Sequence, residues 1–138
     1  MRVVVDTNVL MSGIFFGGVP GRVVDACVEG RVEMVLSPDI LHEYRRVGSD
    51  LATRYPARGT ALVPVLTLLA VNATIVSALP LSEHVSKDAA DDMFLAAAVA
   101  AEVPTIISGD QHLLDVSGWR QILVLTPRQF VDQYLRAR

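Results

Sequence analysis

Two short apolar runs, each followed by an acid, constrain this chain more than any other feature. Near the amino terminus Val3-Val4-Val5 leads directly into Asp6-Thr7-Asn8, and far downstream Thr105-Ile106-Ile107 leads into Ser108-Gly109-Asp110. Consecutive β-branched apolar residues read as strands buried on both faces, as in a parallel sheet covered by helices. In such a sheet ligands bind in the crevice outside the carboxyl ends of the strands, so both acids are expected where chemistry is done. Two buried strands that deliver carboxylates to one edge need something to hold the charges together, and a divalent cation is the expected agent.

Strands alternate with helices along the rest of the chain. Residues 10–21 contain Gly13, Gly17, Gly18, Pro20 and Gly21 and predict a loop, followed by a helix over 22–29 that stops at Gly30. Residues 33–36 read as a second strand. Ser37-Pro38 is a helix start, with Ser as N-cap and Pro at the first helical position, and Gly48 marks the expected end of that helix. Residues 50–69 hold Pro56, Gly59 and Pro64 and predict two helical pieces, because an interior proline costs ~3 kcal/mol or more. A third strand at 73–76, a loop at 79–86 and a helix from Asp88 to about Glu102 follow. After the second acid come a helical turn at 111–114, a fifth strand at 122–125 and a last helix begun by Thr126-Pro127. The expected fold class is α/β, a single three-layer α/β/α domain over residues 1–138 with a mostly parallel central sheet of about five strands.

Composition narrows the function classes. A chain of 138 residues buries roughly two thirds of its unfolded surface and needs no staples. The single cysteine, Cys27, excludes an internal disulfide framework, and no Cys/His spacing resembles a zinc site. Cys27 shares an apolar helical stripe with Val23, Val24 and Val28 and reads as core. Asp6 interrupts the first apolar run too early for a signal peptide, and the stretches 61–71 and 93–101 fall short of the ~18 residues of a membrane span. A cytoplasmic location with no membrane association is expected. The formal charge of -3 is poor for a nucleic-acid binder, yet with four acids balanced by metal the remainder is mildly basic. Of the 12 Lys and Arg residues all but one are arginine, the side chain that grips phosphate bidentately.

Each acid has a functional and a structural reading. Asp6 is a candidate metal ligand supported by Thr7 and Asn8, or a turn residue. Glu43 lies three residues beyond Ile40 and four before Val47, so it borders the buried stripe of its helix; the alternative is a surface pair with Arg46. In Asp88-Ala89-Ala90-Asp91-Asp92, Asp88 and Asp91 suit the positive end of a helix dipole. Asp92 opens the stripe Asp92, Leu95, Ala96, Val99 on a buried helix, where a carboxylate must find a partner or a metal. Asp110 is a candidate ligand oriented by Ser108, or part of a Gly-Asp turn. His42, His84 and His112 show no ligand spacing among themselves.

The ordered set Asp6-Thr7-Asn8, Glu43, Asp91-Asp92-Met93-Phe94-Leu95-Ala96-Ala97 and Ser108-Gly109-Asp110 resembles the PIN-domain ribonucleases, and is most similar to their toxin branch, the VapC toxins. The resemblance implies an acidic quartet at Asp6, Glu43, Asp92 and Asp110, catalytic and metal-binding, with Thr7, Asn8, Asp91 and Ser108 in support; Asp91 is the alternative to Asp92. It also implies Mg²⁺ or Mn²⁺, an RNA substrate hydrolysed by a metal-activated water, a homodimer and a cognate antitoxin. The chain departs from many relatives at His112, where they carry a further acid. Two rival readings stay open. One is a phosphatase of the haloacid-dehalogenase type with Asp6 as nucleophile, although Asn8 stands where that family has its acid/base. The other is a non-catalytic PIN-like module that binds RNA or protein.

Overall fold

The structure, a computed structural model, describes residues 1–135; residues 136–138, the end of the expected single domain, lie outside the described residues. Its elements are β1 (Arg2–Val5), α1 (Thr7–Phe16), α2 (Gly18–Val28), β2 (Glu33–Leu36), α3 (Pro38–Arg54), α4 (Leu62–Asn72), β3 (Thr74–Ile75), α5 (Asp92–Ala101), β4 (Thr105–Ile107), α6 (Gln111–Leu114), β5 (Leu123–Leu125) and α7 (Pro127–Tyr134). Short 3₁₀ turns sit at Arg58–Ala61, Ala89–Asp91 and Trp119–Gln121.

The strands form one sheet in the order β3-β2-β1-β4-β5 with every neighbouring pair parallel. Helices cover it in a three-layer α/β/α arrangement: α5 lies against β1, β2 and β4, while α1 packs on α2 and α3, and α2 on α7. Val3, Val4, Val5, Val35, Ile106 and Ile107 are all at or below 1% exposure, as central strands covered on both faces require. The chain runs outward from β1 through β2 to β3, then crosses back to lay β4 on the other side of β1. The crevice where that direction switches, between the ends of β1 and β4, is where ligands bind in sheets of this kind.

Local signals account for most boundaries. The Ser37 side chain accepts from the Ile40 amide with Pro38 at the first helical position, and Thr126 forms a capping box with Gln129 ahead of Pro127. Pro64 lies in the first turn of α4, where its missing N–H costs nothing.

Two expectations are overturned. Residues 10–21 are helical on both sides of a break at Gly17, whose φ is +74°. Tertiary burial of Val9, Leu10, Met11 and Phe15 on α1 outweighs the glycine penalty of about 1 kcal/mol per residue. Gly48 does not end its helix, for α3 continues to Arg54. A Cβ at Gly48 would stand 2.8 Å from Leu62 Cδ1, so the glycine lets α3 approach α4 closely.

Candidate metal centre

The register of β1 and β4 sets up the site. Val5 pairs with Ile107, and the Asp6 amide donates to the Ile107 carbonyl at 2.9 Å. Asp6 and Ser108 therefore emerge side by side at the switch point, two residues that stand 102 positions apart in the chain. The fully buried Ser108 hydroxyl donates to Asp6 Oδ2 at 2.7 Å and accepts from the Asp110 amide at 2.9 Å. One hydroxyl thus fixes both acids. Asp110 in turn accepts from the His112 amide at 2.8 Å, capping α6.

Asp91 is a third acid, one that feels the charges of Asp110 and Asp6. It ends the 3₁₀ turn before α5 and is 6% exposed, and its Oδ2 is buried without a hydrogen-bond partner. Burial, followed by repulsion from Asp110, Asp6 and Asp88, pushes the Asp91 carboxyl up to about 7. Asp6 is also raised, by burial first and then by Asp110, against the stabilising hydrogen bond from Ser108 and the amides of Thr7 and Asn8. Buried carboxylates that raise one another in this way are poised to share a cation.

Asp91 and Asp92 have different surroundings. Both Asp92 oxygens are taken up by the preceding loop, Oδ1 by the Ser86 amide at 2.8 Å and Oδ2 by the Val85 amide at 3.1 Å. His84 Nδ1 lies 3.4 Å from Oδ2 as well. Asp92 anchors the 79–86 loop over the start of α5. A cavity of about 380 Å³ opens beside it, lined by Ser37, Leu81, His84 and Met93 among others; Asp6, Asp91 and Asp110 do not line it.

Glu43 is half-buried on α3, its Oε1 held by Arg46 at 2.7 Å. The electrostatic couplings that join Asp6, Asp91 and Asp110 do not include it. Its neighbour Tyr44, 1% exposed, donates its hydroxyl to the Val5 carbonyl and ties this turn of α3 to the end of β1. Tyr44 was not foreseen as a site residue, although its place four residues after Ile40 on the buried stripe marks it. Thr7 is buried with its hydroxyl unpaired, and Asn8 is exposed. A third grouping also escaped the sequence: ligand atoms of Asp88, Asp91 and His112 lie within 4.8 Å of one another. The phosphatase reading gains no feature here, since no second acid follows Asp6 at residue 8.

The donor set fits a hard divalent cation. Carboxylates supply oxygen ligands of the kind Mg²⁺ and Mn²⁺ take, the ligand atoms within 4.8 Å of one another are those of Asp88, Asp91 and His112, and the orphaned Asp91 Oδ2 is an oxygen whose burial needs compensation. Among the described residues no single helix is long and apolar enough to cross a membrane.

Comparison with known proteins gives two findings. Residues 2–112 match the family described as the PIN domain. The chain is also similar to an uncharacterized protein of Methanocaldococcus jannaschii, 26% identical over 144 aligned positions that cover 97% of this chain and 92% of that protein.

Proposed function

The chain belongs to the PIN domain family, a fold of metal-dependent nucleases, and from that premise we propose that it is a divalent-metal-dependent endoribonuclease. The observation that carries the reading is the mutual repulsion of Asp6, Asp91 and Asp110 beside the switch point, with Asp91 Oδ2 left unpartnered and ligand atoms of Asp88, Asp91 and His112 within 4.8 Å of one another. These three residues would hold the cation, with Glu43 as the further acid on α3. A Mg²⁺ or Mn²⁺ ion held there would supply Lewis acidity toward water and positive charge toward the phosphodiester.

The chain's own groups prepare that chemistry. Ser108 orients Asp6 and the Asp110 backbone together, so their carboxylates are set before substrate arrives. Tyr44 holds the Glu43 turn against β1. Asp92 fixes the loop beside the site. Burial and the neighbouring acids push the Asp91 carboxyl up to about 7, so a cation held there would compete with a proton for it.

The finer proposals rest on the resemblance to the VapC toxins: a toxin of a toxin–antitoxin pair, cytoplasmic, homodimeric and blocked by a cognate antitoxin. Val63 and Val71 of α4, 70% and 76% exposed, are consistent with a face covered by a partner. The test is incubation with total RNA and Mg²⁺ beside a chelator control. The proposal expects cleavage that leaves 5′-phosphate and 3′-hydroxyl ends and survives a single 2′-deoxy substitution at the cut. Cleavage indifferent to chelator, or a phosphorylated Asp6, would count against it. A small neighbouring reading frame with a DNA-binding start would support the toxin pair.

A further inference from the structure

Resting on the nuclease reading, we infer that a groove along α5, from the cavity beside Asp92 to Arg120, takes the single RNA strand that flanks the cut, with Arg120 as its phosphate contact. Two adjoining cavities make the groove. The first, of about 380 Å³, lies beside Asp92; the second, of about 310 Å³, shares Leu79, Leu81 and Ala96 with it and continues past Val99 and Ala100 to Arg120. From Asp92 to Ala100 the helix rises about 12 Å at 1.5 Å per residue, so the groove leads away from the acids. Its ends differ in charge. Asp39 and Glu83 line the first cavity and turn phosphate away, while carboxylates accept from the exocyclic amino groups of bases. The shared Leu79, Pro80 and Leu81 are apolar surface for base faces.

Arg120 is the second observation. Its guanidinium lies 4.7 Å over the Trp119 ring, and among the described residues no salt bridge joins it to a carboxylate. Its backbone is left-handed, with φ +49° and ψ +34°, and Gln121 follows at φ +64°. Side chains with a Cβ disfavour that region, and such strain collects at ligand-binding sites. A guanidinium stacked on an aromatic face keeps its planar fork of N–H donors for phosphate oxygens. Sites for single strands combine positive charge along the backbone with surfaces against which bases lie, and this groove has both.

Fluorescence anisotropy of a short labelled single-stranded RNA of mixed sequence tests this, with the full chain in Ca²⁺, a gel to show the RNA intact, and a series of KCl concentrations. Arg120→Asn, a residue that tolerates left-handed backbone, should keep the melting temperature and make the slope of log affinity against log salt shallower by about 0.7, the share of one single-strand phosphate. Arg120→Lys should keep the wild-type slope. Leu79→Ser, at a position 83% exposed, should weaken binding with the slope unchanged, because it removes a base contact and no charge. Mg²⁺ affinity by calorimetry should be the same in all three variants and wild type. A slope in Arg120→Asn equal to that of wild type overturns the proposal, as does RNA affinity unaltered in Leu79→Ser; a groove seating a partner protein's peptide would give both. If Mg²⁺-dependent RNA cleavage persists in that case, the nuclease reading stands without the groove; if the wild type neither binds nor cuts RNA, both fall.

Discussion

Ser108 joins Asp6 to Asp110: its hydroxyl donates to the Asp6 carboxylate at 2.7 Å while it accepts from the Asp110 amide at 2.9 Å. Ser108→Ala would strip a buried carboxylate of its donor and leave a backbone N–H unpaired. Each lost partner costs about 1–3 kcal/mol, and divalent affinity should fall about 10–100-fold, as for other groups that orient metal ligands. Urea denaturation and Mg²⁺ calorimetry on the same variant check both effects.

The acid cluster makes metal-free stability depend on pH in an unusual direction. Asp91 rises from 3.8 to about 7 on folding, through burial first and then repulsion by Asp110, Asp6 and Asp88, and Asp6 is raised too. The native state therefore holds protons more tightly than the unfolded chain, so this contribution is full below about pH 4 and is lost as pH rises through about 7. The urea midpoint in chelator should fall between about pH 5 and about pH 8. Excess Mg²⁺ should remove most of that fall, because the cation replaces the proton.

Asp92 serves the loop, and its loss should read as a stability defect. Asp92→Ala leaves the Val85 and Ser86 amides without their acceptor and should cost about 1–3 kcal/mol. Proteolysis within residues 79–86 should accelerate in the variant while the affinity of the Asp6–Asp91–Asp110 site changes little.

Two glycines that look like helix breakers are packing residues. A Cβ on Gly13 would stand 2.5 Å from Val24 Cγ2 and 2.8 Å from the Pro20 carbonyl oxygen, whereas on Gly48 it would meet the end of the Leu62 side chain. Helix propensity alone favours alanine at either position by about 1 kcal/mol. Overpacking costs about 1–3 kcal/mol, and backbone yields less than a leucine methyl. Gly13→Ala should lower the melting temperature more than Gly48→Ala; two stabilised variants would contradict the close helix contacts.

Those glycines also show where the sequence was legible and where it was not. The strands at residues 33–36 and 105–107, the Ser37 and Thr126 caps and the parallel α/β plan rest on local chemistry, and the structure reproduces them. The helix Thr7–Phe16 was hidden because Gly13, Gly17 and Gly18 are typical of loops, and the close approach of α1 to α2 that needs a glycine is a tertiary fact. Asp6, Ser108 and Asp110 could be read from strand ends. The different surroundings of Asp91 and Asp92 could not, because they depend on a 3₁₀ turn before α5 and on a loop that returns to present two amides to Asp92. His112 showed no ligand spacing because its companions, Asp88 and Asp91, meet it only through the fold.

The shared cation is tested most directly by the Mg²⁺-induced rise in melting temperature of wild type, Asp91→Asn and Asp92→Asn at about pH 7.5. Binding to the native state alone stabilises by an amount set by affinity. The account predicts a rise for wild type and Asp92→Asn and almost none for Asp91→Asn. A full rise in Asp91→Asn together with its loss in Asp92→Asn would contradict it.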